Sequence, residues 1–261
     1  MGTRRGFTLT DLIGLLVVLV LAVVVFLPAC RSAHQDLSGR RDCAMNLSNL
    51  GKAIALYKNA NNDQYPHMDA PAMWDTARTG TNRADDPAKD TPHAVTALMF
   101  MLLRDGGQSA KTFCCPSDTS VAEDVNVKDA TGKFCWDFSS ARNCSYGFQV
   151  PLADGSCGAS DANPYTIIMA DKAPGGDLGG YVAGAKPTTY MSPNHESEYI
   201  NALRADSSVI NSKTPDCGDK AETKDYIYTA SGNAAGGNQY GGTASQAAHL
   251  SLADSCVMGP R

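Results

Sequence analysis

The sequence predicts an α+β protein: one long N-terminal helix, a short second helix, then a region of strands. Three observations predict it. An uncharged run from Leu12 to Ala29 passes into an amphipathic pattern that holds to Asn59, a compact apolar stretch follows at 93–103, and short β-type segments appear only beyond residue 113.

The run Leu12 to Ala29 rises about 27 Å as a helix, enough to cross most of a bilayer core. Arg4 and Arg5 hold the residues before it on the cytoplasmic side, so everything after Arg31 is expected outside that membrane. Leu37, Ala44, Leu47, Leu50, Ile54 and Tyr57 then recur at helical steps, with Arg40, Arg41, Lys52 and Lys58 between them. A single helix is therefore expected from Phe7 to about Asn59, on the order of 80 Å long. The segment Asn59-Ala60-Asn61-Asn62-Asp63 and Pro66 end it. Pro28 is expected to bend it at the membrane exit, and the alternative is two helices broken there.

Met68 to Pro92, rich in Ala, Asp, Thr, Arg and Pro, reads as a surface loop. His93 to Leu103 reads as a short buried helix stopped by Asp105-Gly106-Gly107, with Met99 and Met101 as core filler. Strands are expected at Tyr146–Pro151, Thr166–Asp171 and Asp225–Thr229. Ala230 to Gln246 reads as a flexible tail unless Cys256 ties it down.

The 261 residues carry a formal charge of −5. Without Arg4 and Arg5 there remain 20 basic against 27 acidic residues, a charge of −7. A mildly acidic exterior argues against a nucleic-acid partner, which would need basic clusters. About 200 residues beyond the helix suffice for one sizeable core. Nine cysteines suit a compartment where disulfides persist. Nine is odd, so at least one thiol stays free or pairs with another chain, and Cys30 at the membrane surface is the candidate. Cys135 and Cys144 are spaced to close a hairpin, whereas adjacent Cys114 and Cys115 are poor partners for each other. No Cys-x-x-Cys pair occurs and the five histidines (34, 67, 93, 195 and 249) are scattered, so zinc is not expected.

The start of the chain is more specific. Met1 to Gly6 is a basic stub ending in Gly. Phe7-Thr8-Leu9-Thr10-Asp11 follows, with one acid inside the apolar segment and Pro28 near its end. This pattern resembles the class III leader of the type IV pilin and type II secretion pseudopilin family. The resemblance implies that a prepilin peptidase cuts after Gly6 and methylates the amine of Phe7. Asp11 then takes the fifth mature position, usually Glu in the family, and Pro28 the twenty-second, where Pro is common. A carboxylate at the hydrocarbon edge costs about 3 kcal/mol unpaired, so Asp11 is expected to pair with a Phe7 amine of a neighbouring chain and set filament stagger. It also complements the positive end of the helix dipole. Two other readings of the same residues exist. Leu27-Pro28-Ala29-Cys30 resembles a lipobox, which would place a lipid on Cys30, and the segment could serve as a plain uncleaved anchor.

Later motifs extend the resemblance to a large subgroup of pilin-like proteins abundant in planctomycetes. Cys115-Pro116-Ser117-Asp118, Ser145-Tyr146, Ala170-Asp171, Ser192-Pro193-Asn194-His195 and Cys217-Gly218-Asp219 before Ile227-Tyr228 match it in order. Asp206-Ser207 stands where that subgroup usually has Asp-Gly. The missing glycine bears on the tightness of that turn. The resemblance implies a pilin-like fold, a long N-terminal helix packed on an antiparallel sheet. It carries no catalytic role to transfer.

His195, Asp171 and Asp206 invite an acid–base or metal reading. No serine elbow, metal-binding histidine pair or phosphate loop accompanies them. The expectation is a structural loop, with His195 and Asp206 bonding backbone groups, and no enzymatic activity. The resemblance to pseudopilins, some of which bind calcium in a loop after the sheet, makes the carboxylate-rich set Asp216, Asp219, Glu222 and Asp225 the candidate for calcium. The expected organisation is a leader at 1–6, a membrane and assembly half-helix at 7–30, an amphipathic half at 31–59 and an α+β head at 60–261 containing a flexible 230–248 segment. The expected protein is a single-pass inner-membrane subunit with its C-terminal domain in the periplasm, partnered by prepilin peptidase, the inner membrane and other pseudopilins. The rival expectation is a membrane- or lipid-anchored extracytoplasmic ligand-binding domain.

Overall fold

The computed structural model describes residues 9–66, 95–122, 125–149, 164–174, 191–218, 227–228 and 257–258, with the backbone alone over 25–37, at 95 and at 257–258. Helix α1 spans Leu9–Ala60, 52 residues, and runs through Pro28 without interruption. The two-helix alternative is thereby overturned. The helix stops where Asn62 and Asp63 adopt left-handed backbone (φ 54° and 63°), the conformation short polar side chains tolerate best. Asn61 Nδ2 donates to Tyr57 O at 2.8 Å, satisfying one of the last carbonyls.

The two halves of α1 differ. From Leu9 to Val24 twelve large apolar side chains are 45–73 % exposed, on all sides of the helix. From residue 43 onward one face is buried: Cys43, Leu47, Leu50, Ala53 and Ile54 recur at helical spacing against the sheet. The expected core position Ala44 is half-buried, and the next residue towards the N-terminus, Cys43, takes the inward place. Among the described residues no helix is long and apolar enough to cross a membrane. The described side chains of this stretch end at Val24, whereas the uncharged run continues in sequence to Ala29.

Helix α2, Val95–Arg104, buries Thr96–Phe100, Leu102 and Leu103, as its mainly apolar composition requires, and Gly107 (φ 65°) follows its end. Strands β1 (Tyr146–Gln149), β2 (Ile167–Asp171), β3 (Ile200–Arg204), β4 (Val209–Ser212) and β5 (Val257–Met258) form an antiparallel sheet of order β4-β3-β2-β1-β5. The fold is therefore α+β. The helices cover one sheet face with a core built on Phe100, Phe113 and Phe138, whose rings meet edge-to-face at 5.2 and 5.3 Å. The other face packs Ile167, Ala170, Ile200 and Ala202 against Met191, Ile227 and Tyr228.

The third expected strand is corrected. Ile227 and Tyr228 lie in a turn, buried under the sheet, with Tyr228 Oη donating to Asp171 O at 2.9 Å. Their aromatic and β-branched character serves packing there rather than pairing. The expected hairpin disulfide does not form either. Cys135 and Cys144 are buried thiols, and the hairpin-like turn closes earlier, where Lys128 pairs with Phe134. Cys144 Sγ instead faces Tyr146 O at 3.4 Å and Met99 Sδ at 3.9 Å, and burial raises its pKa. The loop at 68–92 and the segment 230–248 lie outside the described residues.

Candidate functional site

Four motifs noted separately along the sequence meet at one point beneath α1. The Cys115-Pro116-Ser117-Asp118 segment follows a 3-10 helix at Ala110–Phe113 and closes as a turn, Asp118 N donating to Cys115 O at 2.9 Å. Its approach explains a glycine inside α1: a Cβ on Gly39 would meet Ser117 Oγ. Ser145 Oγ accepts from Cys115 N at 2.9 Å, which ties this turn to the residue before β1. Ser192 caps a second 3-10 helix, Pro193–His195, by accepting from Asn194 N, and Pro193 sits at the helix start where its missing N–H costs nothing. Glu196 and Ser197 then take left-handed backbone (φ 55° and 61°), turning the chain back toward β3.

At the centre lie Cys43 of α1, Cys115, Asp171 at the end of β2, and His195. All four are buried, and one ligand-type atom from each falls within 4.8 Å of the others. Asp171 faces α1 because a bulge between Ile167 and Met169 resets the alternation of β2. Its carboxylate is held from every side. Oδ1 accepts from Cys43 Sγ (3.2 Å) and Asn194 Nδ2 (3.0 Å), while Oδ2 accepts from Asn201 N (2.7 Å) and lies 3.2 Å from His195 Nε2. Asn194 Nδ2 also reaches Ser145 O at 2.7 Å. Cys115 Sγ is 3.7 Å from His195 Nε2, and Tyr146 Oη is 3.3 Å from Cys43 Sγ. His195 Nδ1 meets Tyr199 Oη at 2.6 Å. The Tyr199 ring stacks on the imidazole at 4.3 Å, and the Arg40 guanidinium caps that ring at 4.1 Å while holding Glu198.

The charges follow from these contacts. The hydrogen bond from Cys43 lowers the Cys115 thiol against the cost of burial, and His195 lowers it further, to about 6. Burial would lower His195, but its bonds to Asp171 and Cys115 and their negative charges raise it to about 9. Burial, the bond to Cys115 and the Asp171 charge together raise Cys43. A carboxylate and an acidic thiol thus share one dry space and draw positive charge onto the imidazole. Beside them, burial pushes Asp118 up, but the hydrogen bonds from Lys172 (2.6 Å) and Ser120 and the Lys172 charge outweigh it and leave the carboxyl below its usual range.

Asp206 is not part of this group. It sits in the β3–β4 turn, where Oδ1 accepts from Ser208 N at 2.8 Å, and Ser207 takes the left-handed position (φ 68°) that glycine would fill at less cost. Of the calcium candidates only Asp216 lies among the described residues, whereas Asp219, Glu222 and Asp225 lie outside them. Asp11 stands exposed in the first turn of α1, and Gly6 and Phe7 lie outside the described residues. The absence of Cys-x-x-Cys spacing did not exclude a ligand cluster, because these four residues come from four separate segments. Cys43 and Asp171 are 128 residues apart, and Cys115 and His195 are 80 apart. Cys43 gave one signal in sequence, a cysteine in the amphipathic half of the helix. Comparison with known protein families, characterised proteins and solved structures finds no match.

Proposed function

We propose that the chain is a pilin-like, pseudopilin-type structural subunit that assembles into a filament of a type II secretion or type IV pilus-like machine. One observation carries the reading: a single helix whose second half is packed on an antiparallel sheet while its first half presents apolar side chains all round. An apolar surface of that extent needs a bilayer or neighbouring helices to cover it. The leader-like Met1 to Gly6, with Phe7 and Asp11 beyond it, supports processing and helix-to-helix register rather than a plain anchor. Full burial of Cys43, Cys115, Asp171 and His195 supports a structural head, since a catalytic site must admit a substrate. In this reading the chain crosses the inner membrane once, its head lies in the periplasm, and its partners are prepilin peptidase and other subunits.

The intact mass of the protein, made together with a prepilin peptidase, tests the processing step. The expected mass lacks Met1 to Gly6 and carries one added methyl, on Phe7. A diacylglycerol on Cys30, with residues 1–29 gone, would instead establish a lipoprotein.

A further inference from the structure

We infer that Cys43, Cys115, Asp171 and His195 form a closed four-ligand zinc site that fastens the first helix to the sheet. The site does not depend on the filament reading. Four donors at about 2.0–2.3 Å around a tetrahedral zinc stand roughly 3.3–3.8 Å apart. The cluster has that size: Cys43 Sγ to Asp171 Oδ1 is 3.2 Å, His195 Nε2 to Asp171 Oδ2 is 3.2 Å, and Cys115 Sγ to His195 Nε2 is 3.7 Å. All four groups lie within 4.8 Å of one another. Two sulfurs and an imidazole disfavour calcium and magnesium, which prefer oxygen, and suit zinc.

The surroundings are arranged as a ligand shell needs. Asn201 Nδ2 stands 3.0 Å from His195 Nε2, and Tyr199 Oη stands 2.6 Å from His195 Nδ1. Tyr199, Asn194 and the Asn201 amide orient the imidazole and carboxylate from outside, as second-sphere partners do at metal centres. Zinc binding would displace the protons of the two thiols. With four protein ligands and no exposed face, the site has no open position for substrate, so its role is to join α1, the Cys115 turn, β2 and the His195 loop.

The test uses the full chain, purified in detergent without chelator and assayed for metal by mass spectrometry. One zinc per chain is expected. Cys115→Ser and His195→Ala should each lose it, and Cys135→Ala, which removes a buried thiol outside the cluster, should keep it. Should the ligand variants fail to fold, cobalt loaded into the reduced wild-type chain decides. Tetrahedral d–d bands with thiolate charge transfer support the site, and an octahedral spectrum overturns it. Absence of zinc uptake by the reduced chain, or zinc retained by folded ligand variants, would overturn the proposal. So would a Cys43–Cys115 disulfide in the protein as isolated, because it consumes both sulfur ligands.

Discussion

Ser207 holds a φ of 68° in the β3–β4 turn, a conformation that costs an L-residue about 1–2 kcal/mol. Asp206 stabilises the turn by accepting from Ser208 N, but it does not remove that strain. Ser207→Gly should therefore raise stability, less the roughly 0.5–1 kcal/mol that glycine's freedom gives the unfolded chain. A net gain of about 0.5–1 kcal/mol in urea unfolding is expected, and a loss would show that the serine hydroxyl contributes more than its backbone costs. At this scale the sequence was informative about residue types and silent about partners. Ser145, Asn194 and His195 stood out in their motifs, yet only folding brings Asn194 between Ser145 O and the Asp171 carboxylate. Asp206, grouped with His195 and Asp171 by chemistry alone, proved to be a turn residue, as short acidic side chains often are.

Among the elements, the helices were legible because their apolar period is long and unambiguous. Strands β1 and β2 were legible as apolar runs with β-branched and aromatic residues. Strand β3, Ile-Asn-Ala-Leu-Arg, was missed because Asn and Ala have low strand propensity. The inward Asn201 side chain meets His195 rather than filling a core, and its backbone N–H donates to Asp171. Conversely Ile227 and Tyr228 have strand propensity but are placed by packing. The two faces of the second half of α1 can be separated by mutation. Leu50→Ala, at a fully buried position, should cost about 2–5 kcal/mol. Leu56→Ala, at a position 65 % exposed, should change stability by less than about 0.5 kcal/mol. Equal effects in denaturant unfolding would mean that the helix does not seat on the sheet through the Cys43–Leu47–Leu50–Ile54 face.

On the scale of the whole molecule, a helix divided between a buried and an uncovered half gives the proposed assembly its logic. The second half of α1 and the head share the core on one sheet face and the head packs the other, which leaves the first half of α1 uncovered. In the proposed reading that half meets membrane or other copies. Insertion is driven by apolar transfer and gains slightly from loss of an acid. Register is different, because an amine buried between packed helices with no acid opposite it is costly. The most direct measurement is filament formation by Asp11→Ala, Asp11→Asn and Asp11→Glu proteins in cells that carry the assembly machine. Export of the head should be normal in all three. Filaments should be abolished by Asp11→Ala, reduced less severely by Asp11→Asn, and kept by Asp11→Glu, which restores a carboxylate with one more methylene of reach. Wild-type filament levels from the Asp11→Ala protein would contradict the account and leave Asp11 as a charge at a helix terminus.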